Sequence, residues 1–252
     1  MTANVAHIWR HPIKSHGREE ISEAFLTEGK CLPWDRVWAV AHERSCFDVE
    51  RPSWQPCNQF SIGAKSPRLQ AITAYVDERL NKITLSHPDR DDITINPDDE
   101  GDANHFVQWV MPISNGSRML PARLVSAAQP MTDTDFQSIS IINLASHAEI
   151  EKIVETSLSA ERWRGNIHID GWEPWAEKEM LGKRISIGEA ELEIREEIKR
   201  CMATTVNVET GVKDVDMLGT LNKDFGHQEM GVYAVVTKSG RIRQEDQVEV
   251  LT

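Results

Sequence analysis

Short runs rich in β-branched and aromatic residues, bounded by Pro, Gly, Asn and Asp, set the pattern of this chain. They predict strands at Val5–Trp9, Arg36–His42, Leu69–Val76, Lys82–Ser86 and Asp92–Asn96, because such side chains fit a pleated, half-buried surface. The segment Asn96 to Asp102 is acidic and turn-rich, and an apolar-spaced stretch, Asn104–Met111, follows it. A domain boundary is expected there, giving units 1–112 and 113–252. In the second unit Ser146 and Glu149 form an S-x-x-E pattern, which predicts a helix start running on through Ile150, Ile153 and Val154. Strand patterns return at Gly165–Ile169, Arg184–Ile187, Ala190–Ile194, Gly231–Thr237 and Arg241–Leu251. The expected fold class is β-rich α+β, two packed β-barrel-like domains with a few peripheral helices.

The chemistry concentrates in three places. Cys201 lies in Lys199-Arg200-Cys201-Met202-Ala203-Thr204-Thr205-Val206, where adjacent cations are expected to lower its thiol pKa. A soft thiolate serves equally as nucleophile or as ligand to a soft metal. Lys14 and Ser15 follow Pro12-Ile13, and Arg36 sits in Asp35-Arg36-Val37-Trp38; lysine, hydroxyl and guanidinium together suit a phosphate. Arg162, Arg164 and Asn166 alternate by two, so on an extended segment they face one side. Taken alone, each piece has a plain alternative: an exposed loop lysine, a barrel salt bridge at Arg36, a solvated strand face, a buried thiol.

The ordered set P-x-K-S, D-R-x-W, N-L-x-S, R-x-R-x-N, R-C-x-x-T-x-V with a following T-G, and G-V-Y-A resembles the MOSC family over nearly the whole chain. That resemblance implies a molybdenum cofactor (Mo-molybdopterin) with Cys201 as its metal ligand and catalytic sulfur donor. It also implies cofactor contacts from Lys14, Ser15, Arg36, Arg162, Arg164, Asn166, Arg200 and Thr204. Similarity to the amidoxime-reducing members implies reduction of N-hydroxylated small-molecule substrates. The alternatives are a carrier of the cofactor and a sulfur-transfer module with Cys201 as a transient persulfide. The chain departs from the family pattern at Gly165, where proline is usual, at Asn207, where aspartate is common, and at Glu245-Asp246, which replaces a Gly-Asp turn.

The rest of the composition trims this picture. With a net charge of −12, the chain has no basic footprint for nucleic acid. No apolar run approaches the ~20 residues of a membrane span, and Met1 to Glu20 lack a secretory core, so no membrane partner and a cytoplasmic location are expected. Cys31, Cys46 and Cys57 are irregularly spaced and read as structural thiols. His7 and His11, four apart, would share a zinc only on a helix that Pro12 disfavours, and the tryptophans read as packing residues. No ferredoxin-type cysteine series is present, so electrons are expected from a separate ferredoxin or flavoprotein reductase.

Overall fold

The computed structural model describes residues 3–115 and 119–251. The N-terminal half contributes β1 (Ala3–Arg10), β2 (Glu19–Ile21), β3 (Glu23–Leu26), β4 (Trp38–His42), β5 (Thr73–Asp77), β6 (Lys82–His87), β7 (Arg90–Ile95), α1 (Glu100–Val110) and β8 (Pro121–Ser126). The C-terminal half follows with β9 (Ile139–Asn143), α2 (Leu144–Val154), β10 (Ile167–Asp170), β11 (Arg184–Ile187), β12 (Ala190–Lys199), α3 (Met217–Thr220), β13 (Glu229–Lys238), β14 (Gly240–Arg243) and β15 (Gln247–Leu251).

Seven strands close a barrel in the order β10-β9-β13-β12-β11-β15-β1, sealed by the β1–β10 pairing, with β2 appended to β1. All its ladders are antiparallel except β9–β10. Alternation fills the interior: Val5, Ile8, Ile141, Ile167, Ile185, Leu192 and Val232 are all fully buried in one core. Burying these branched side chains supplies roughly 1.5–3 kcal/mol each before the entropy of ordering them is subtracted.

A second barrel is not formed among the described residues, which corrects the expectation of two. The N-terminal half instead has the meander β5-β6-β7, the separate pair β4–β8 and α1 around their own apolar core. β1 pairs with β10, β15 and β2 in the large sheet, and the outer strands β5 and β7 of the meander have no further ladder partner among the described residues. Three helices lie outside the barrel among the described residues, and no helix there is long and apolar enough to cross a membrane.

Local corrections have local causes. Helix α2 begins before the S-x-x-E pattern because the Asn143 side chain caps it at Ala145 N–H, 3.0 Å, while the Ser146 hydroxyl turns to Glu177 instead. Residues 67–71 wind into a tight helical turn after Pro67, so the strand starts only at Thr73. Glu245 holds the left-handed conformation (φ 70°) in the turn into β15, a conformation that glycine adopts without strain.

Candidate functional site

The Lys14 and Arg36 loops are zipped together by backbone bonds, Lys14 N–H to Trp38 O at 2.8 Å and Arg36 N–H to His11 O at 2.7 Å. Asp35, fully buried, locks the junction: it accepts from His11 N–H at 2.8 Å and pairs with the Arg36 guanidinium. Burial works against its charge, yet Arg36 and His11 hold the carboxyl well below the usual range. From the other half of the chain, Arg36 Nη2 donates to Arg164 O at 2.8 Å.

All nine residues singled out above line one cavity of about 600 Å³: Lys14, Ser15, Arg36, Arg162, Arg164, Asn166, Arg200, Cys201 and Thr204. Three of them, Ser15 (φ 63°), Arg36 (φ 53°) and Arg164 (φ 51°), are held in the left-handed backbone region. Non-glycine residues pay for that conformation, and such strain collects where side chains must be aimed.

The cations differ in how they are paired. Lys14 is nearly inaccessible and donates to Met131 O at 2.8 Å, to Thr132 O at 3.3 Å and to the Asp133 carboxylate. Arg162 is committed to a two-pronged pair with Asp214, at 3.2 and 3.1 Å, and to Thr204 O at 3.0 Å. Arg164 and Arg200 donate only to neutral groups among the described residues. Arg164 reaches Gly17 O at 3.1 Å and Gln70 Oε1 at 3.4 Å. Arg200 reaches Met230 O and Trp163 O, both at 2.8 Å, and stacks over the Trp163 ring at 5.3 Å. Burial, then Arg36 and Arg18, push Arg164 down to about 9, and burial pushes Arg200 down to about 10. Cations under such pressure favour an incoming anion.

The predicted alternation of Arg162, Arg164 and Asn166 on a strand does not occur. Arg162 sits in the helical turn Ala160–Trp163, Arg164 reverses the chain, and β10 begins only at Ile167. They converge through this turn rather than through a pleat. Gly165 is required there because a Cβ would run into Ile142, and Asn166 is firmly placed by Ser140 Oγ at 2.8 Å and Trp9 O at 3.1 Å.

Cys201 is exposed in the cavity wall, at the end of β12 and before the turn Met202–Thr205. Its thiol pKa is pushed up, not down. Withdrawal from bulk water in the cleft dominates and Asp133 adds to it, while Ala203 N–H and Arg200 pull only partly the other way. Arg200 is weak here because its guanidinium is turned to Met230 and Trp163. The Thr204 hydroxyl donates to Cys201 O at 2.9 Å, fixing the turn.

Several cavity residues escaped sequence reasoning. Cys57 lines the cavity and is exposed, as is Cys46 elsewhere; only Cys31 behaves as a structural thiol, buried and pushed up to about 12. Trp54 and Trp163 are cavity walls, and Tyr233 and Asp133 face the same space. The G-V-Y-A motif pointed near Tyr233; nothing local pointed to Asp133 or Cys57.

The closed barrel stands beside a cavity lined by several cations, with an exposed thiol in its wall. The chain belongs to the MOSC family: the MOSC domain matches residues 128–249 and the MOSC N-terminal beta barrel domain residues 2–116. Molybdenum cofactor sulfurases 3 and 1 of Aedes aegypti are 22% and 21% identical over 265 residues, covering 88% of this chain and 32% of each relative. The chain thus spans about a third of the length of those relatives. Among solved structures, the YUAD protein from Bacillus subtilis aligns over 99% of this chain and 96% of its own, with 14% identity and a TM-score of 0.47. YiiM from Geobacillus stearothermophilus aligns over 45% and 54%, with 16% identity and a TM-score of 0.36.

Proposed function

We propose that the chain binds the molybdenum cofactor in this cavity and reduces N-hydroxylated small molecules with electrons from a separate ferredoxin or flavoprotein donor. One observation carries the reading: in a chain of net charge −12, half-buried guanidiniums that have no carboxylate partner among the described residues share one cavity with an accessible thiol. The donor set fits the group. Lys14, Ser15, Arg36 and Arg164 suit its phosphate-bearing end, and Cys201 would hold the metal as a soft thiolate, its proton released to solvent. When bound, the molybdenum centre supplies the two-electron chemistry that takes oxygen from an N–OH group.

The protein's own residues bind, orient and exclude water. Arg200 and Arg164 fix the anionic group by charge-assisted hydrogen bonds, and the turn Met202–Thr205 holds Cys201 in place. Burial, then Asp133, raise the pKa of Tyr233, so its phenol stays protonated at neutral pH and can donate a hydrogen bond to a substrate oxygen. Trp54, Ile62 and Phe136 give the remaining wall an apolar character that suits a small organic substrate.

The test is expression in a host that makes the cofactor, quantification of bound molybdenum and pterin, and an assay of N-hydroxylated substrates with a chemical reductant. Metal with turnover is expected. Metal without turnover would leave a carrier, and absence of both metal and pterin would overturn the reading.

A further inference from the structure

Asp133 holds an unusual position in the cavity. It lies in the segment between β8 and β9, and its side chain remains 54% exposed although it pairs with Lys14, which is only 3% exposed. Lys14 is the sole side-chain partner that Asp133 has among the described residues. Its charge nevertheless acts on much of the site: Arg36, Arg164, Arg200, Cys201 and Tyr233 all respond to it.

The two acids near these cations are therefore unlike. Asp35 is fully buried, holds the His11 backbone and cannot leave without breaking the junction of two loops. Asp133 can leave into water. Lys14 would not follow it, because Met131 O and Thr132 O still hold the ammonium. An anion entering between Lys14, Arg36 and Arg164 would compete with the Asp133 carboxylate for the same ammonium, and two like charges there oppose each other.

We propose that Asp133 is a built-in placeholder whose carboxylate occupies the phosphate seat at Lys14 and is displaced when a phosphate-bearing ligand binds. Pairing with Asp133 keeps the lysine charge compensated in the ligand-free protein. Displacement turns its side chain to solvent, loosens residues 133–137 and frees the seat, while Met131 O and Thr132 O keep hold of Lys14. The cost of displacement sets ligand affinity, so Asp133 lowers the affinity of the seat without contributing to it. The inference rests on the phosphate seat assigned to Lys14 in the proposed function, and it stands whether or not the ligand carries molybdenum.

The experiment uses the full chain purified without cofactor and inorganic phosphate as the probe, at constant ionic strength. Phosphate affinity is read from the rise in unfolding midpoint with concentration. Asp133→Asn should bind phosphate roughly tenfold tighter than wild type, as expected for removing one opposing charge from a partly solvated site. Lys14→Ala, alone or combined with Asp133→Asn, should lose the phosphate response. Equal or weaker binding by Asp133→Asn would overturn the proposal, since a carboxylate that merely orients Lys14 would be missed when removed. Wild type gives a second readout that needs no variant to fold: phosphate should accelerate hydrogen exchange across residues 133–137, and protection there would equally overturn it. A gain in Asp133→Asn with no molybdenum in protein from a cofactor-making host would remove the enzyme reading and leave the placeholder standing.

Discussion

Replacing Arg164 with methionine should stabilise the ligand-free protein while removing its response to anions. Among the described residues the guanidinium has no carboxylate partner, and its neighbours include Arg36 and Arg18. Its pKa is held down from 12.5 to about 9, and at about 1.4 kcal/mol per pH unit keeping it charged costs on the order of 5 kcal/mol. The side chain is only partly buried, so solvent at the cavity reduces this to roughly 2–3 kcal/mol. Against that, losing the guanidinium leaves Gly17 O and Gln70 Oε1 short of a donor, about 1–2 kcal/mol together. Methionine keeps most of the apolar stem. The balance is a gain of about 1 kcal/mol for Arg164→Met, whereas truncating most buried arginines destabilises. Urea unfolding in phosphate-free buffer at pH 7 measures it. The unfolded chain keeps its proton to higher pH than the folded one, so wild type recovers stability above about pH 9 and the variant's advantage fades there. A loss of more than 1 kcal/mol, or a phosphate response equal to wild type, would refute the reasoning.

Other outcomes follow from the same contacts. Arg36→Ala strands the fully buried Asp35 and should cost about 3–5 kcal/mol, while Lys14→Ala leaves Asp133 to water but Met131 O short of a donor and should cost about 1–3 kcal/mol; both should lose phosphate binding, and Cys46→Ala should not. Burial lowers the pKa of His11, of His16 to about 4 and of His168 to about 3, so their contribution is intact above about pH 6.5 and is lost as pH falls toward 4. Urea midpoints at pH 7 and pH 5 should differ, with a slope of about 1.4 kcal/mol per pH unit per histidine, and a flat profile would contradict the burial of these rings in neutral form. Glu245→Gly relieves an exposed left-handed residue and should add about 1 kcal/mol to stability by thermal unfolding.

What could be read ahead of the structure, and what could not, divides along physical lines. Strands such as Arg184–Ile187 were legible because alternation is written into consecutive residues. Closure of the barrel by β1 was not, since nothing in Ala3–Arg10 says which of two sheets it joins. Lys14, Arg36 and Cys201 stood out because a cation or thiol in such company is chemically unusual, and they do share a cavity. Arg162 and Arg164 were placed by the wrong local geometry: a helical turn and a chain reversal bring them to the cavity where a pleat was expected. Asp133 gave no signal, because one aspartate in a polar loop acquires meaning only from the lysine it meets 119 positions earlier.

The central claim is that Cys201 binds molybdenum beside an anion seat formed by both halves of the chain. X-ray absorption at the molybdenum edge, on wild type and Cys201→Ser purified from a cofactor-making host, tests it most directly. The account predicts one fewer sulfur neighbour in the variant, with lower metal content and an unchanged far-ultraviolet circular dichroism spectrum. Identical sulfur coordination and identical metal content in the two proteins would contradict it.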